Sequence, residues 1–385
     1  MHVLYSFPHP IGSPGVGTTA ANQVRGLLER GVRVTVVTTS VHGSAGDLGS
    51  DVVETLALRG RRVPHRVLGV DRAYRYHDWR TSRMLASAAE PIDVVHGWPL
   101  GSEKTFQRAE ALGIPSLRES PNLYTARAYE LVADEVARLG LVVPPGASHH
   151  FDPTRLAREE REYDACTAVL APSAAVAESY GTRPGPPLRV LRHRYGFDPD
   201  RFPAPGAVSA RSSFTMLFVG HCEPRKGVHH ALEAWSRAGL WREGGRFVIV
   251  GRWEPGYREL LEGRLRTPGV EVREFSDDVG ALMREADVLT LPSVEEGSAL
   301  VTYEAQASGC ALLVSDAAGA LMVEGAHGLV HRTGDVEELT NQLTRLAAEP
   351  AELLAMRTAA VAHRHELSWG AAAERLETLY EEVAV

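Results

Sequence analysis

Short apolar runs alternate with helix-length amphipathic segments along almost the whole chain, and the alternation starts afresh past the middle. "HVLYSF", "VRVTVVTT", "IDVVHGW" and "TAVLAPS" read as strands, with helical stretches such as "AANQVRGLLERG" between them. After Arg211 the pattern restarts with "FTMLFVG", then "RFVIVG", "VEVREF", "ADVLTLPS" and "CALLVSD". Strands that are apolar on both faces are buried parallel strands covered by helices on either side. Two such runs imply two doubly wound α/β domains, and 385 residues suffice for two cores. "FDPDRFPAPGAVSARSS", rich in Pro, Gly, Ser and Ala, is the expected linker, with the boundary near Pro203 to Ser212. The expected division is residues 1–205, residues 206–365 and a closing helix over 366–385. In that helix Ser368 is the N-cap, and Trp369, Ala372, Leu376 and Leu379 share one face.

Composition removes several function classes. A formal charge of −8 opposes nucleic-acid binding, which calls for a basic face. No run approaches the ~18 apolar residues of a membrane span. "MHVLYSFPHP" has neither a basic n-region nor an apolar h-region, so no signal peptide is expected. Cys166, Cys222 and Cys310 are too few and too scattered for a disulfide framework or a four-cysteine zinc site, and they suit a reducing cytoplasm. His221, Cys222, His229 and His230 match no zinc spacing, so no metal is expected. Arg far outnumbers Lys, and Ala, Gly and Pro abound, which reads as a GC-rich bacterial genome.

One segment runs against the acidic balance. Between Arg59 and Arg83 there are eight Arg against two Asp, with Tyr74, Tyr76 and Trp79 interleaved. Two readings stand: a contact for an acceptor phosphate or an anionic membrane surface, or a solvated face.

"GVGTTA" (Gly15 to Ala20) follows the first strand and matches the dinucleotide fingerprint G-x-G-x-x-A. That reading also needs an acid about 20 residues on to hold a ribose hydroxyl, where the sequence has "VTVVTTS". The loop from Pro8 to Pro14 is also too long for the fingerprint's tight turn. No nicotinamide or flavin cofactor is expected.

"VEEGSALVTYEAQASG" (Val294 to Gly309) places Glu296 and Glu304 eight residues apart around a run of small residues. "ADVLTLPS" is a strand, and a helix is expected to begin between Ser298 and Leu300. The amides of Gly297, Ser298, Ala299 and Leu300 then point out at the positive end of the helix dipole, a seat for an anion. A retaining hydrolase holds its two carboxylates ~5 Å apart. Helical rise separates these two by roughly 10 Å, which suits two contacts to one ligand.

"FVGHCEPRKGVHHALEAW", "VEEGSALVTYEAQASGCALLVSD" and the closing "LSWGAAAERLETLY" together resemble the retaining glycosyltransferases of family four, group 1, with the GT-B fold. Glu296-Gly297 to Glu304 fits the family's E-x7-E. "LLERGVRVTVVTTS", "IDVVHGWPL", "ALGIPSL", "VLAPSAAVAESY" and "YGFDPDRF" fall where similar family segments fall, so the resemblance covers nearly the whole chain. It implies two Rossmann-like domains facing a cleft, with the last helix crossing back to the N-terminal domain.

The resemblance also implies roles. The anion is the diphosphate of a UDP-sugar or GDP-sugar, Glu304 takes the ribose hydroxyls, and Glu296 lies by the donor sugar. Lys226 and Arg225 stabilise the departing phosphate, with Gly220 at the strand end. His221 stands where members often have Arg. On the acceptor side Gly15 matches the second of the family's paired glycines, and His96 a strand-end His. No His follows the strand after "GIP"; Glu119, Asn122 and Tyr124 are the polar groups there. The implied reaction is sugar transfer to a small-molecule or glycan acceptor with retention, by front-face attack and without a metal. The alternatives are a sugar-nucleotide epimerase of the same fold and a non-catalytic sugar-nucleotide-binding protein. A cytoplasmic monomer or homodimer is expected, with peripheral membrane contact left open by the basic segment.

Overall fold

The computed structural model describes residues 1–385 apart from 44, 46, 47, 50, 59, 60, 63–68, 144, 148, 277 and 385, and only the backbone of 58, 61 and 62. The chain forms two compact units, each discontinuous in sequence. The first comprises Met1–Pro121, Phe151–Tyr195 and Trp369–Val385; the second comprises Asn122–His150 and Gly196–Ser368.

In chain order the first half contains β1 (His2–Ile11), α1 (Val16–Glu29), β2 (Arg33–Val41), β3 (Asp51–Glu54) and a hairpin of β4 (Ala57–Leu58) and β5 (Arg61–Arg62). Then come α2 (Val70–Ala86), β6 (Val94–Gly97), α3 (Glu103–Ala111), β7 (Ser116–Glu119) and α4 (Thr125–Arg138). They are followed by α5 (Pro153–Ala165), β8 (Ala168–Ala171), α6 (Ala174–Ser179) and β9 (Val190–Arg192). Among the described residues these give the first unit a seven-stranded sheet, in the order β3-β2-β1-β6-β7-β8-β9, with parallel pairing throughout.

The second half contains β10 (Thr215–Val219), α7 (Val228–Ala238), β11 (Arg246–Val250), α8 (Tyr257–Leu265), β12 (Val270–Arg273), α9 (Val279–Glu285) and β13 (Val288–Leu291). It continues through α10 (Leu300–Ala307), β14 (Ala311–Ser315), β15 (Gly328–His331), α11 (Val336–Ala348) and α12 (Pro350–Ala362) to α13 (Trp369–Ala384). The second unit's sheet runs β12-β11-β10-β13-β14-β15, again parallel. Its central strands bury every residue of "VLTL" and "ALLVS", as continuous apolar runs between two helix layers must.

The closing helix belongs to the first unit. Leu376, Leu379 and Tyr380 are buried in one core with Val3, Val24, Leu27 and Val94. Gly26 permits that packing, because a Cβ there would lie 2.7 Å from the Ala373 methyl.

Three expectations need correction. The loop after β1 is shorter than read: the strand continues to Ile11, with a register irregularity between Phe7 and Pro10 that accommodates the prolines. The division at 205/206 moves to 195/196, since Phe197 and Phe202 are buried and Arg364 donates to the Phe202 carbonyl at 2.9 Å. Two buried aromatics anchor what composition marks as a linker. The segment Asn122–His150, expected in the N-terminal domain, belongs to the second unit. Arg59, Gly60 and residues 63–68 of the basic segment lie outside the described residues. The remainder of the basic segment includes α2, which exposes Arg72, Arg75, Tyr76, Trp79 and Arg83.

Candidate active site

In a doubly wound sheet, ligands meet the carboxyl ends of strands where the strand order reverses. In the second unit that point lies between β10 and β13, which pair directly. The loops leaving those two strands are Gly220–Gly227 and Pro292–Ala299, the two segments that the sequence marked. They sit against each other. Gly227 has φ 70, and a Cβ there would lie 1.9 Å from the Pro292 carbonyl oxygen, so only glycine lets the loops touch. The Val294 amide then donates to the Arg225 carbonyl at 2.8 Å.

This contact delivers Arg225 and Lys226, on a 3-10 turn (Pro224–Lys226), to the acids of the facing loop. Arg225 Nη1 donates to the Glu295 carbonyl (3.0 Å), to Glu295 Oε2 (3.3 Å) and to Glu296 Oε2 (3.2 Å). Its Nε and Nη2 are held by Glu223 Oε1 at 3.0 and 2.9 Å. Lys226 Nζ pairs with Glu296. Burial pushes the Glu296 carboxyl up, but Arg225 and Lys226 outweigh it and hold the group below the usual carboxylate range. Arg225 therefore has all three guanidinium nitrogens engaged. Among the described residues Lys226 has one partner for its three donors, which leaves two for a ligand.

Glu304 lies in α10, beyond the turn formed by Gly297, Ser298 and Ala299. The Ser298 hydroxyl is tied to Tyr303 Oη (2.9 Å) and the Gly319 carbonyl (3.0 Å), which pins the turn. Of the amides expected to be open, that of Ala299 is directed at the Ala318 carbonyl, at 3.4 Å. That of Leu300, and that of Val301, which was not among those expected, have no partner among the described residues, the usual state of a helix N-terminus. Glu304 is half-buried, and its carboxyl has no hydrogen bond or ion pair among the described residues. Burial raises it to about 7, opposed only by Arg201.

His221 follows Gly220 and is half-exposed, 3.8 Å from Glu254. It lines a cavity of about 370 Å³ with Glu223, Arg225 and Glu254 on one wall and Val132 and Val136 of α4 on another. Sequence reasoning missed two residues here. Glu295 is fully buried and accepts from His149 (3.2 Å) and the Leu123 amide (3.2 Å) as well as from Arg225. Burial raises Glu295, but His149 and Arg225 bring it down to about 2. The signal for Glu295 was its place beside Glu296; His149 had none.

Of the residues assigned to an acceptor, Gly15, His96 and Glu119 lie in the first unit and Asn122 and Tyr124 in the second. Gly15 caps α1 at φ 83 with open space where a side chain would stand. His96 and Glu119 are fully buried in a polar network of the first unit. Glu119 accepts from His193 Nε2 (2.9 Å), Tyr195 Oη (2.9 Å) and Gln23 Nε2 (3.1 Å), and lies 3.3 Å from His96. His96 Nδ1 meets Tyr380 Oη at 2.6 Å. Burial opposes ionisation of Glu119, yet His193 and His96 hold it well below the usual range. These contacts tie the end of β7 to α1, through Glu119 and Gln23, and β6 to α13, through His96 and Tyr380. Asn122 and Tyr124 lie in the second unit, Tyr124 buried where it precedes α4.

Comparison with known proteins gives the family and the fold. The family model for Glycosyltransferase Family 4 matches residues 14–201, and that for glycosyl transferases group 1 matches residues 213–349. The chain belongs to the group 1 glycosyltransferases of family 4. D-inositol 3-phosphate glycosyltransferase of Corynebacterium efficiens is 32% identical over 231 residues, 51% of this chain and 54% of that protein. MMP alpha-(1->4)-mannosyltransferase of Mycolicibacterium hassiacum is 34% identical over 137 residues, 34% of this chain and 33% of that protein. The matches thus span about half or less of these curated relatives. Among solved structures, sucrose-phosphate synthase of Thermosynechococcus elongatus aligns at TM-score 0.69 and 17% identity, covering 99% of this glycosyltransferase and 98% of that chain. HepE of Anabaena, in complex with UDP, aligns at TM-score 0.67 and 15% identity, covering 99% and 100%. At these identities the structural likeness shows the GT-B fold.

Proposed function

We propose that this glycosyltransferase moves a sugar from a nucleoside-diphosphate donor to an acceptor with retention at the anomeric carbon. The observation that carries the reading is the pairing of Lys226 with Glu296 at the sheet's reversal point, followed along the chain by a helix whose first two amides and Glu304 carboxyl have no partner among the described residues. The helix end and Lys226 receive the diphosphate, Glu304 the ribose hydroxyls, and Glu296 the donor sugar. As the sugar–phosphate bond breaks, negative charge grows on the phosphate, and the spare donors of Lys226 stabilise it. Arg225 acts mainly by fixing Glu295 and Glu296. No step needs a metal ion; the phosphate oxygen that departs takes the acceptor's proton as the acceptor attacks the same face. HepE binds UDP, which favours UDP over GDP as the nucleotide. Relatives that act on D-inositol 3-phosphate favour a phosphate-bearing acceptor. Among the described residues no helix is long and apolar enough to cross a membrane. We place the reaction in the cytoplasm, which three free cysteines suit.

Calorimetric titration with UDP and then GDP, in EDTA, tests the donor site. UDP binds wild type, and Glu304→Ala weakens that binding by ~1.5–3 kcal/mol, the worth of a hydrogen bond to a charged group. No binding of either nucleotide removes the transferase reading. Equal binding by the variant removes the ribose assignment.

A further inference from the structure

We infer that Glu135, His229 and His230 form a site for a divalent transition ion of the zinc class, separate from the donor site. The residues come from two elements far apart in sequence: Glu135 from α4, and both histidines from the first turn of α7. Glu135 Oε1 lies 2.6 Å from His229 Nε2 and 3.2 Å from His230 Nε2. One ligand atom from each of the three lies within 4.8 Å of the others. Bonds of about 2.1 Å to a tetrahedral ion separate its ligand atoms by about 3.4 Å, so shifts below an ångström seat it. Two imidazoles and one carboxylate suit zinc, cobalt or nickel and are a poor set for magnesium or calcium, which want oxygen.

The surroundings prepare the ligands. His229 Nδ1 meets Tyr257 Oη at 2.6 Å, and the His229 amide donates to the same hydroxyl at 3.1 Å, so the ring is aimed with Nε2 toward Glu135. A partner on the far nitrogen is the usual support of a metal-binding histidine. His230 Nδ1 is buried with no partner among the described residues, so nothing there fixes its tautomer; with the proton on Nδ1, Nε2 offers a lone pair at the place where it now faces Glu135 Oε1. Arg138 donates to Glu135 Oε2 at 2.9 Å and leaves Oε1 to face the histidines. Arg138 and Arg264, which donates to the His229 carbonyl at 3.4 Å, add positive charge, so moderate affinity is expected. A bound ion ties α4 to α7, the helix that begins just beyond Lys226.

The test uses tag-free, full-length protein stripped with EDTA, with Zn²⁺ followed by calorimetry and Co²⁺ by its visible absorption. Wild type binds Zn²⁺ stoichiometrically with Kd at or below about 10 µM, and Co²⁺ gives the intense band of a tetrahedral site. His230→Ala and Glu135→Gln each weaken binding at least tenfold, at unchanged circular dichroism. His221→Ala leaves binding intact; it removes the separate, more exposed group of His221, Glu223 and Glu254. Absence of saturable binding by wild type overturns the site whatever the variants do. So does binding that persists in Glu135→Gln, or that is lost in His221→Ala. None of these readouts depends on donor binding or transfer.

Discussion

Glu304 is raised to about 7 because burial costs its charged form and only Arg201 opposes that cost. In the unfolded chain the same carboxyl titrates near 4.5. Between those values the folded state binds the proton and the unfolded state does not, so stability falls as pH rises through that window. The cost is absent at pH 4 and complete above pH 7, at most ~3 kcal/mol. Glu304→Gln should therefore raise the urea midpoint at pH 8, leave it unchanged at pH 4, and lose UDP affinity. A midpoint unmoved at pH 8 would mean that the carboxyl is solvated and its isolation immaterial. The neighbouring cations separate in a different way. Lys226→Ala should cut turnover at least tenfold, ~1.4 kcal/mol of barrier, with stability within ~1 kcal/mol of wild type. Arg225→Ala strips a buried Glu295 of its counter-charge and should cost ~3–5 kcal/mol of stability. Urea titration beside steady-state kinetics distinguishes the two residues; equal stability losses would refute the division of roles.

Among the elements, the strands were the most legible. "VLTL", "ALLVS" and "TMLFV" are apolar runs bounded by Gly, Pro or Asp, and a parallel sheet buries them as such. The turns that carry the site were legible for the same local reason: small residues before α10, and basic residues followed by Gly before α7. What the sequence hides is allegiance between distant segments. α4 looks like one more helix of the N-terminal half, yet Glu135 meets His229 across 94 residues and Leu123 meets Glu295 across 172. Nothing in either segment alone announces those bonds, because a buried ion pair leaves no periodicity. Glu119 is hidden in the same way: nothing around it in the sequence announces His193 and His96, which meet its carboxylate. The loop contact beneath the site is the element most open to test. Gly227→Ala places a methyl against the Pro292 carbonyl at a positive φ, so the two loops must part. UDP affinity should fall at least tenfold, while the far-ultraviolet circular dichroism stays that of wild type. Unchanged affinity would show that the loops bind nucleotide independently of each other.

At the scale of the whole molecule, the groups assigned to the proposed donor all lie in one of the two units. Each has its own doubly wound sheet, and the first is completed only by the last stretch of the chain, through α13. Leu379 is fully buried in that unit's core, so Leu379→Ala removes buried methyl groups and leaves a cavity, at ~2–5 kcal/mol. Every group assigned to the nucleotide belongs to the second unit: Lys226, Glu296, Glu304 and the amides that open α10. The two facts together fix an expected pattern. In Leu379→Ala, amide hydrogen exchange should quicken in β1, β2 and β6, while UDP affinity at a temperature below the first transition stays within about twofold of wild type. Transfer to an acceptor should fail at a lower temperature than nucleotide binding does. If UDP affinity instead dropped in step with the exchange protection of β1, the first unit would supply part of the nucleotide site. The assignment of donor binding to the second unit alone would then have to be withdrawn.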